Sequence, residues 1–277
     1  MKFKTILAIA FATILLATNA CKKEETTTVT PTPVEVDQIP STYKLIGETY
    51  ILGAAAKAKV YSEKDLFVGY NKIFVAMFDS VSNTRLNDGH FDLTPMMDMG
   101  MMQHSSPVEV TDESIPSDKF WKAAIVFIMP SSAGKWTLNL TFHNHKTDKE
   151  GEGELEVNVI NPTTSVMKSF KASDSTKLFV TLIQPATPKI GLNNFEISIH
   201  KKDMMGFPAV NDYTVEIEPT MPSMGHGSPN NVNPVFTSMG HYIGKVNFTM
   251  TGLWNVKITL KKNGVTIDNK QSFDITL

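Results

Sequence analysis

Two turn-rich stretches of the sequence bring thioethers and an imidazole close together. The later one, Glu218-Pro219-Thr220-Met221-Pro222-Ser223-Met224-Gly225-His226-Gly227-Ser228-Pro229, packs two methionines and a histidine into six residues. The earlier one, running from Thr94 to Pro107, carries Met96, Met97, Met99, Met101 and Met102 ahead of His104, and both close on the pattern His-x-Ser-Pro. Thioether sulfur and imidazole nitrogen are ligands for copper(I), a soft ion, whereas zinc sites are built from Cys, His and carboxylate. A thioether has no proton to lose, so it binds without the deprotonation a thiolate needs. The expected ligands are Met221, Met224 and His226, joined by Met239 and His241 if that segment is extended and converges with the loop. In the earlier stretch they are Met96, Met99, Met102 and His104. The oxidation state of the copper is left open.

The same residues admit a second reading. Methionine is a flexible gap-filler, so the loops can instead seal a core or present an adaptable apolar surface to a partner protein. Met129 and Met250, each followed closely by a Trp, read as core. His143 and His145 share one side of a regular strand, a spacing that suits a divalent ion, yet they read more simply as a solvated face. His90 and His200 have no evident partner and read as surface. Catalysis is not expected: no Gly-x-Ser-x-Gly, phosphate loop or dinucleotide fingerprint occurs, and no nucleophile is paired with a base.

The elements that must position these residues are repeated. A Phe-x-Met strand and then a Trp follow each loop: Phe127, Met129 and Trp136, then Phe248, Met250 and Trp254. Such self-similarity marks a tandem duplication. Strand-like runs such as Lys72 to Phe78 and Trp136 to Phe142 alternate or are rich in β-branched and aromatic residues. Turn signals, including Asn87-Asp88-Gly89 and Asn263-Gly264, separate them. Only Gly53 to Ala58 hints at helix, where a turn between strands would also serve. The predicted fold is all-β: two tandem immunoglobulin-like antiparallel β-sandwiches, residues 41–161 and 165–277, with the break at Asn161-Pro162-Thr163-Thr164.

The first twenty residues read as an export signal, with Lys2 and Lys4 before an apolar run from Ile6 to Ala17. Cys21, the sole cysteine, stands where bacterial lipoproteins are cleaved and lipidated; an ordinary secreted protein is the alternative. Residues 21–40 read as a lipid-anchored tether: the nineteen after Cys21 have a Thr/Pro/Glu/Val composition and would extend roughly 60 Å. One cysteine permits no intrachain disulfide, so stability must come from packed cores. With 26 Lys+Arg against 28 Asp+Glu and a formal net charge of −2, nothing points to nucleic acid. The expected partners are a membrane, through the anchor, and a copper-receiving or other envelope protein; the membrane or cell face is left open.

In the second repeat, Met221-Pro222-Ser223-Met224-Gly225-His226-Gly227, Gly240-His241-Tyr242, Phe248-Thr249-Met250 and Gly252-Leu253-Trp254 together resemble the YtkA-like domain family. That family is related to the periplasmic part of the FixH proteins and is similar in architecture to CopC-type sandwiches. The resemblance implies a small exported β-sandwich. It covers residues 190 to 260 well and the first repeat more weakly, where Phe120 stands in the place of His241 and a longer turn, Pro130 to Gly134, precedes Trp136.

Overall fold

The computed structural model describes residues 39–204 and 206–277. The export signal, Cys21 and nearly all of the expected tether lie outside the described residues. Among the described residues ten strands precede residue 158: β1 (Lys44–Ile51), β2 (Ala56–Ser62), β3 (Gly69–Asp79), β4 (Arg85–Leu86), β5 (Gly89–Asp98), β6 (Gln103–Ser105), β7 (Val108–Val110), β8 (Trp121–Phe127), β9 (Lys135–Asn144) and β10 (Lys149–Val157). Nine follow: β11 (Met167–Lys171), β12 (Lys177–Gln184), β13 (Gly191–Lys201), β14 (Tyr213–Met221), β15 (His226–Gly227), β16 (Val232–Phe236), β17 (His241–Phe248), β18 (Leu253–Lys262) and β19 (Val265–Thr276). The fold is all-β, as the sequence predicts. Asn161-Pro162-Thr163-Thr164 falls in the link between β10 and β11.

Each half builds two antiparallel sheets around its own core. In the first, β1-β2-β3-β8-β7, with β4 on β3, faces β10-β9-β5-β6; in the second, β11-β12-β13-β17-β16 faces β15-β14-β18-β19. The alternation in β9 is realised, with Trp136, Leu138, Leu140 and Phe142 all buried in the first core. Phe195, Tyr242, Phe248, Trp254 and Phe273 fill the second. Each such side chain contributes about 1.5–3 kcal/mol by leaving water. Where helix was hinted, Gly53 to Ala55 turn the chain and β2 begins at Ala56. Asn263 and Gly264 both take positive φ, 50° and 80°, and join β18 to β19 as the Asn-Gly signal predicts.

The two halves share the hydrogen bonds that start their central strands. Asn71 Nδ2 donates to Phe67 O and Gly69 O at 2.7 and 2.8 Å, and its Oδ1 accepts from Phe67 N. Asn193 does the same to Lys189 O and Gly191 O, also at 2.7 and 2.8 Å, and accepts from Lys189 N. Both hooks sit two residues into an eleven-residue strand, β3 or β13. They fix the entry of the strand that crosses the middle of each sheet.

Candidate metal centre

The two Met/His stretches fold as β-hairpins, β5–β6 and β14–β15. Residues directly opposite on an antiparallel pair point to the same face with Cβ atoms roughly 5 Å apart. Met97 lies opposite His104 on β6 and opposite Trp136 on β9, so Trp136, Met97 and His104 form one row on the inner face of the sheet. In the second half Met221 lies opposite His226, and the register Thr220↔Asn255 carries the row on to Trp254. Met97 and Met221 are 0 % and 2 % exposed. His104 meets the Trp136 ring edge to face at 5.6 Å, and His226 meets Trp254 at 5.8 Å. Each indole is held in turn: Trp136 Nε1 donates to Met129 O at 2.9 Å and Trp254 Nε1 to Met250 O at 3.1 Å.

A glycine two residues before each Trp makes room for the buried thioether. A Cβ on Gly134 would lie 2.9 Å from Met99 Cγ, 3.0 Å from Met97 Cε and 2.6 Å from Asp98 O. One on Gly252 would lie 3.1 Å from Met221 Cε. Met97 and Met99 therefore share one small volume behind the first hairpin.

The imidazoles are oriented by the chain itself. His104 Nδ1 lies 2.8 Å from Ser105 O, and His226 Nδ1 lies 3.0 Å from Gly227 O. A carbonyl only accepts, so the proton sits on Nδ1 and the lone pair of the neutral ring on Nε2. His104 Nε2 is buried and has no hydrogen-bond partner. An unsatisfied buried polar atom costs about 1–3 kcal/mol, and a ring whose Nδ1–H is held by a carbonyl is the usual arrangement of a metal-bound histidine.

The expected ligand set is rearranged. His104 and Met99 are placed together with Met97, which the residue pattern did not single out as a ligand. Met96 takes the position opposite Ser105, one step out of the inward row. Met101 and Met102 stand exposed at the hairpin tip. Met221 and His226 are together, while Met224 is exposed in the turn between them. Met239 and His241 do not converge with them. Phe248, at the far end of β17, packs on Trp254 at 5.6 Å, so His241 at its start is roughly 23 Å away along the strand.

His241 is committed elsewhere. Its Nδ1 is 2.7 Å from Glu196 Oε1, and its Nε2 is 3.0 Å from Glu109 Oε1 in the first half. Tyr70 OH donates to the other Glu109 oxygen at 2.9 Å. Burial opposes the charged ring, but hydrogen bonds to Glu109 and Glu196 and their charges outweigh it, raising His241 to about 9. Both nitrogens of the resulting imidazolium carry protons, leaving no lone pair for a metal. His200, read as surface, is 3 % exposed; burial foremost lowers it to about 4, with the His241 charge adding to the effect against the Glu109 carboxylate. Sequence reading also missed that His90 faces His143 across β5 and β9. Among the described residues no three His, Cys, Asp or Glu side chains are arranged to hold an ion, so a metal at the hairpins depends on thioethers.

The hairpin with Met221 and His226 lies within a recognisable segment. Residues 172–259 match the YtkA-like family. That YtkA-like segment includes the whole row from Met221 through His226 to Trp254. Among characterised proteins none matches the sequence. The chain is similar to solved structures of domains 5–6 of the S-layer protein SbsC (13 % identity over 84 % of this chain and 96 % of that one, TM-score 0.28). It is also similar to the Escherichia coli adhesin FdeC (16 %, 84 % and 66 %, TM-score 0.25) and to invasin, a bacterial integrin-binding protein (14 %, 80 % and 39 %, TM-score 0.26). At these scores neither ligand nor partner carries over.

Proposed function

We propose that the protein is a non-catalytic, lipid-anchored component of the bacterial cell envelope in which two YtkA-like sandwiches bind copper(I) and carry or buffer it. The observation that carries this reading is His104 Nε2, buried, unpartnered and held in the metal-binding tautomer opposite Met97, which shares its volume with Met99. The repetition of the Trp–Met–His row supports a second, more open site at Met221 and His226. Copper(I) suits this donor set because it takes two or three soft or imidazole ligands and needs no carboxylate. The indole beside each histidine adds an electron-rich face for a cation. The YtkA-like match and the export signal support the envelope placement; Cys21 supports the anchor.

The test is competition for copper(I) between the full chain and a chromogenic chelator, alongside Met97→Leu/His104→Gln and Met221→Leu/His226→Gln. Each pair should weaken one site by more than roughly tenfold, the loss expected even from an outer-shell change. A folded parent that cannot compete for copper(I) would sink the reading. The alternative, a module that uses Met-rich loops as a protein-contact surface, draws on Met101 at 102 % exposure and on exposed Met102 and Met224. Under that alternative, Met101→Ser/Met102→Ser abolishes partner capture while Met97→Leu/His104→Gln leaves it intact.

A further inference from the structure

We infer that His90, His143 and His145 form a separate site for a divalent borderline ion such as zinc(II) or copper(II), on the outer face of the first sandwich. His90 and His143 are register partners on β5 and β9, and His145 opens the turn that follows β9, its ring close to both. The ring centroids are 4.7 Å apart for His90–His145, 5.1 Å for His143–His145 and 6.5 Å for His90–His143. An ion bound at about 2.0 Å from each ring nitrogen lies roughly 3.2 Å from each centroid, so tetrahedral angles put three centroids roughly 5 Å apart. Two of the three separations already meet that requirement, and the third exceeds it by little more than 1 Å.

The ring nitrogens do not converge as they stand. Closing them takes rotation of side chains that are 36 % and 30 % exposed at His143 and His145, with His90 also exposed. Such rotations meet little steric resistance at a surface. The surrounding carboxylates favour the rearrangement. Asp88 Oδ1 accepts from His145 Nδ1 at 2.6 Å, which leaves Nε2 with the lone pair and supplies the carboxylate–histidine pairing that raises ligand basicity. His143 Nε2 bonds to Asp148 Oδ1 at 3.1 Å; that aspartate is exposed and free to become the fourth ligand once the ring turns. No methionine contributes, and neither does His104 or His226, so this site stands independently of copper(I) binding.

Zinc(II) is the probe, because it takes imidazole and carboxylate but not thioether. Calorimetric titration of the full chain should find one equivalent bound, with chemical-shift changes confined to three of the seven imidazoles. His90→Asn/His143→Asn should abolish that equivalent, and Asp88→Asn should weaken it roughly tenfold. His104→Gln/His226→Gln should leave it unchanged. An equivalent that survives in His90→Asn/His143→Asn, or a folded parent that binds no zinc, would overturn the inference. His90 is exposed and His143 half-buried at the surface, so unchanged circular dichroism is expected of His90→Asn/His143→Asn.

Discussion

The contact between the halves predicts a bell-shaped dependence of stability on pH, set by two histidines with opposite preferences. His241 is raised from the ordinary 6.5 to about 9, and His200 is lowered to about 4. A group whose folded pKa is raised contributes stability that is complete below 6.5 and lost as pH rises toward 9; the difference corresponds to about 3 kcal/mol. A histidine held neutral works the other way: it costs nothing above 6.5 and removes a similar amount, about 3 kcal/mol, as pH falls toward 4. Their sum is greatest near pH 6.5 and declines on both sides. For a chain of this size, about 3 kcal/mol moves the thermal midpoint by roughly 6–12 °C. The assay is the midpoint at pH 4.5, 6.5 and 9 for the parent, His241→Gln and His200→Gln. His241→Gln should be destabilised at pH 6.5, because Glu109 and Glu196 lose the cation between them, and should lose the alkaline decline while keeping the acid one. His200→Gln should do the reverse. An alkaline decline that is equally steep in the parent and in His241→Gln would refute the reasoning.

Three further outcomes follow from particular contacts. Gly134→Ala should cost about 1–3 kcal/mol, since its Cβ would meet the backbone oxygen of Asp98 as well as two methionines; Gly225→Ala, with nothing within 4 Å but φ at 65°, should cost about 1 kcal/mol from backbone strain alone, both read by chemical denaturation. Asn193→Ala removes three hydrogen bonds that begin β13 and should cost about 2–3 kcal/mol, at about 1 kcal/mol each, with Asn71→Ala matching it in the first half. Met97→Leu conserves volume and should change stability by less than about 1.5 kcal/mol, while the copper(I) affinity of the first hairpin falls.

The fold was legible because its signals are local. The period-two pattern of β9 and the Asn263-Gly264 turn report on neighbours in sequence, and the Phe, Met and Trp spacing recurs in both halves of the sequence without reference to structure. The site was legible only in part. A loop full of methionines says that sulfur is near histidine, but which sulfur turns inward is decided by register: moving one residue along β5 exchanges Met96 for Met97. No count of residues in the sequence fixes that register before β5, β6 and β9 are paired. His241 misled for a related reason. Gly240-His241-Tyr242 looks like part of the same motif, yet seven residues of strand carry it to the other end of the sandwich.

The two halves differ at the start of β8 and β17. Phe120, immediately before β8, occupies the place that His241 takes at the start of β17, and it joins Tyr61, Phe74 and Phe78 in a small apolar cluster with Ile39 and Tyr43. The first sandwich thus covers the outer face of its sheet with residues that enter just before β1. In the second, Phe207 packs on Phe179 beside His200, while Ser198 and His241 on the same outer face close against Glu109 and Tyr70 of the first. A hydrophobic cap in one half and a charged clamp in the other solve the same physical problem, the desolvation of an exposed sheet face. Because a buried ion pair tolerates the loss of one member far less well than the replacement of both, the clamp ties residues from two sandwiches into a unit. The Met221–His226 hairpin lies outside that clamp, at the other end of β17, where Phe248 packs on Trp254, so its ligand row is separated from the contact that joins the halves.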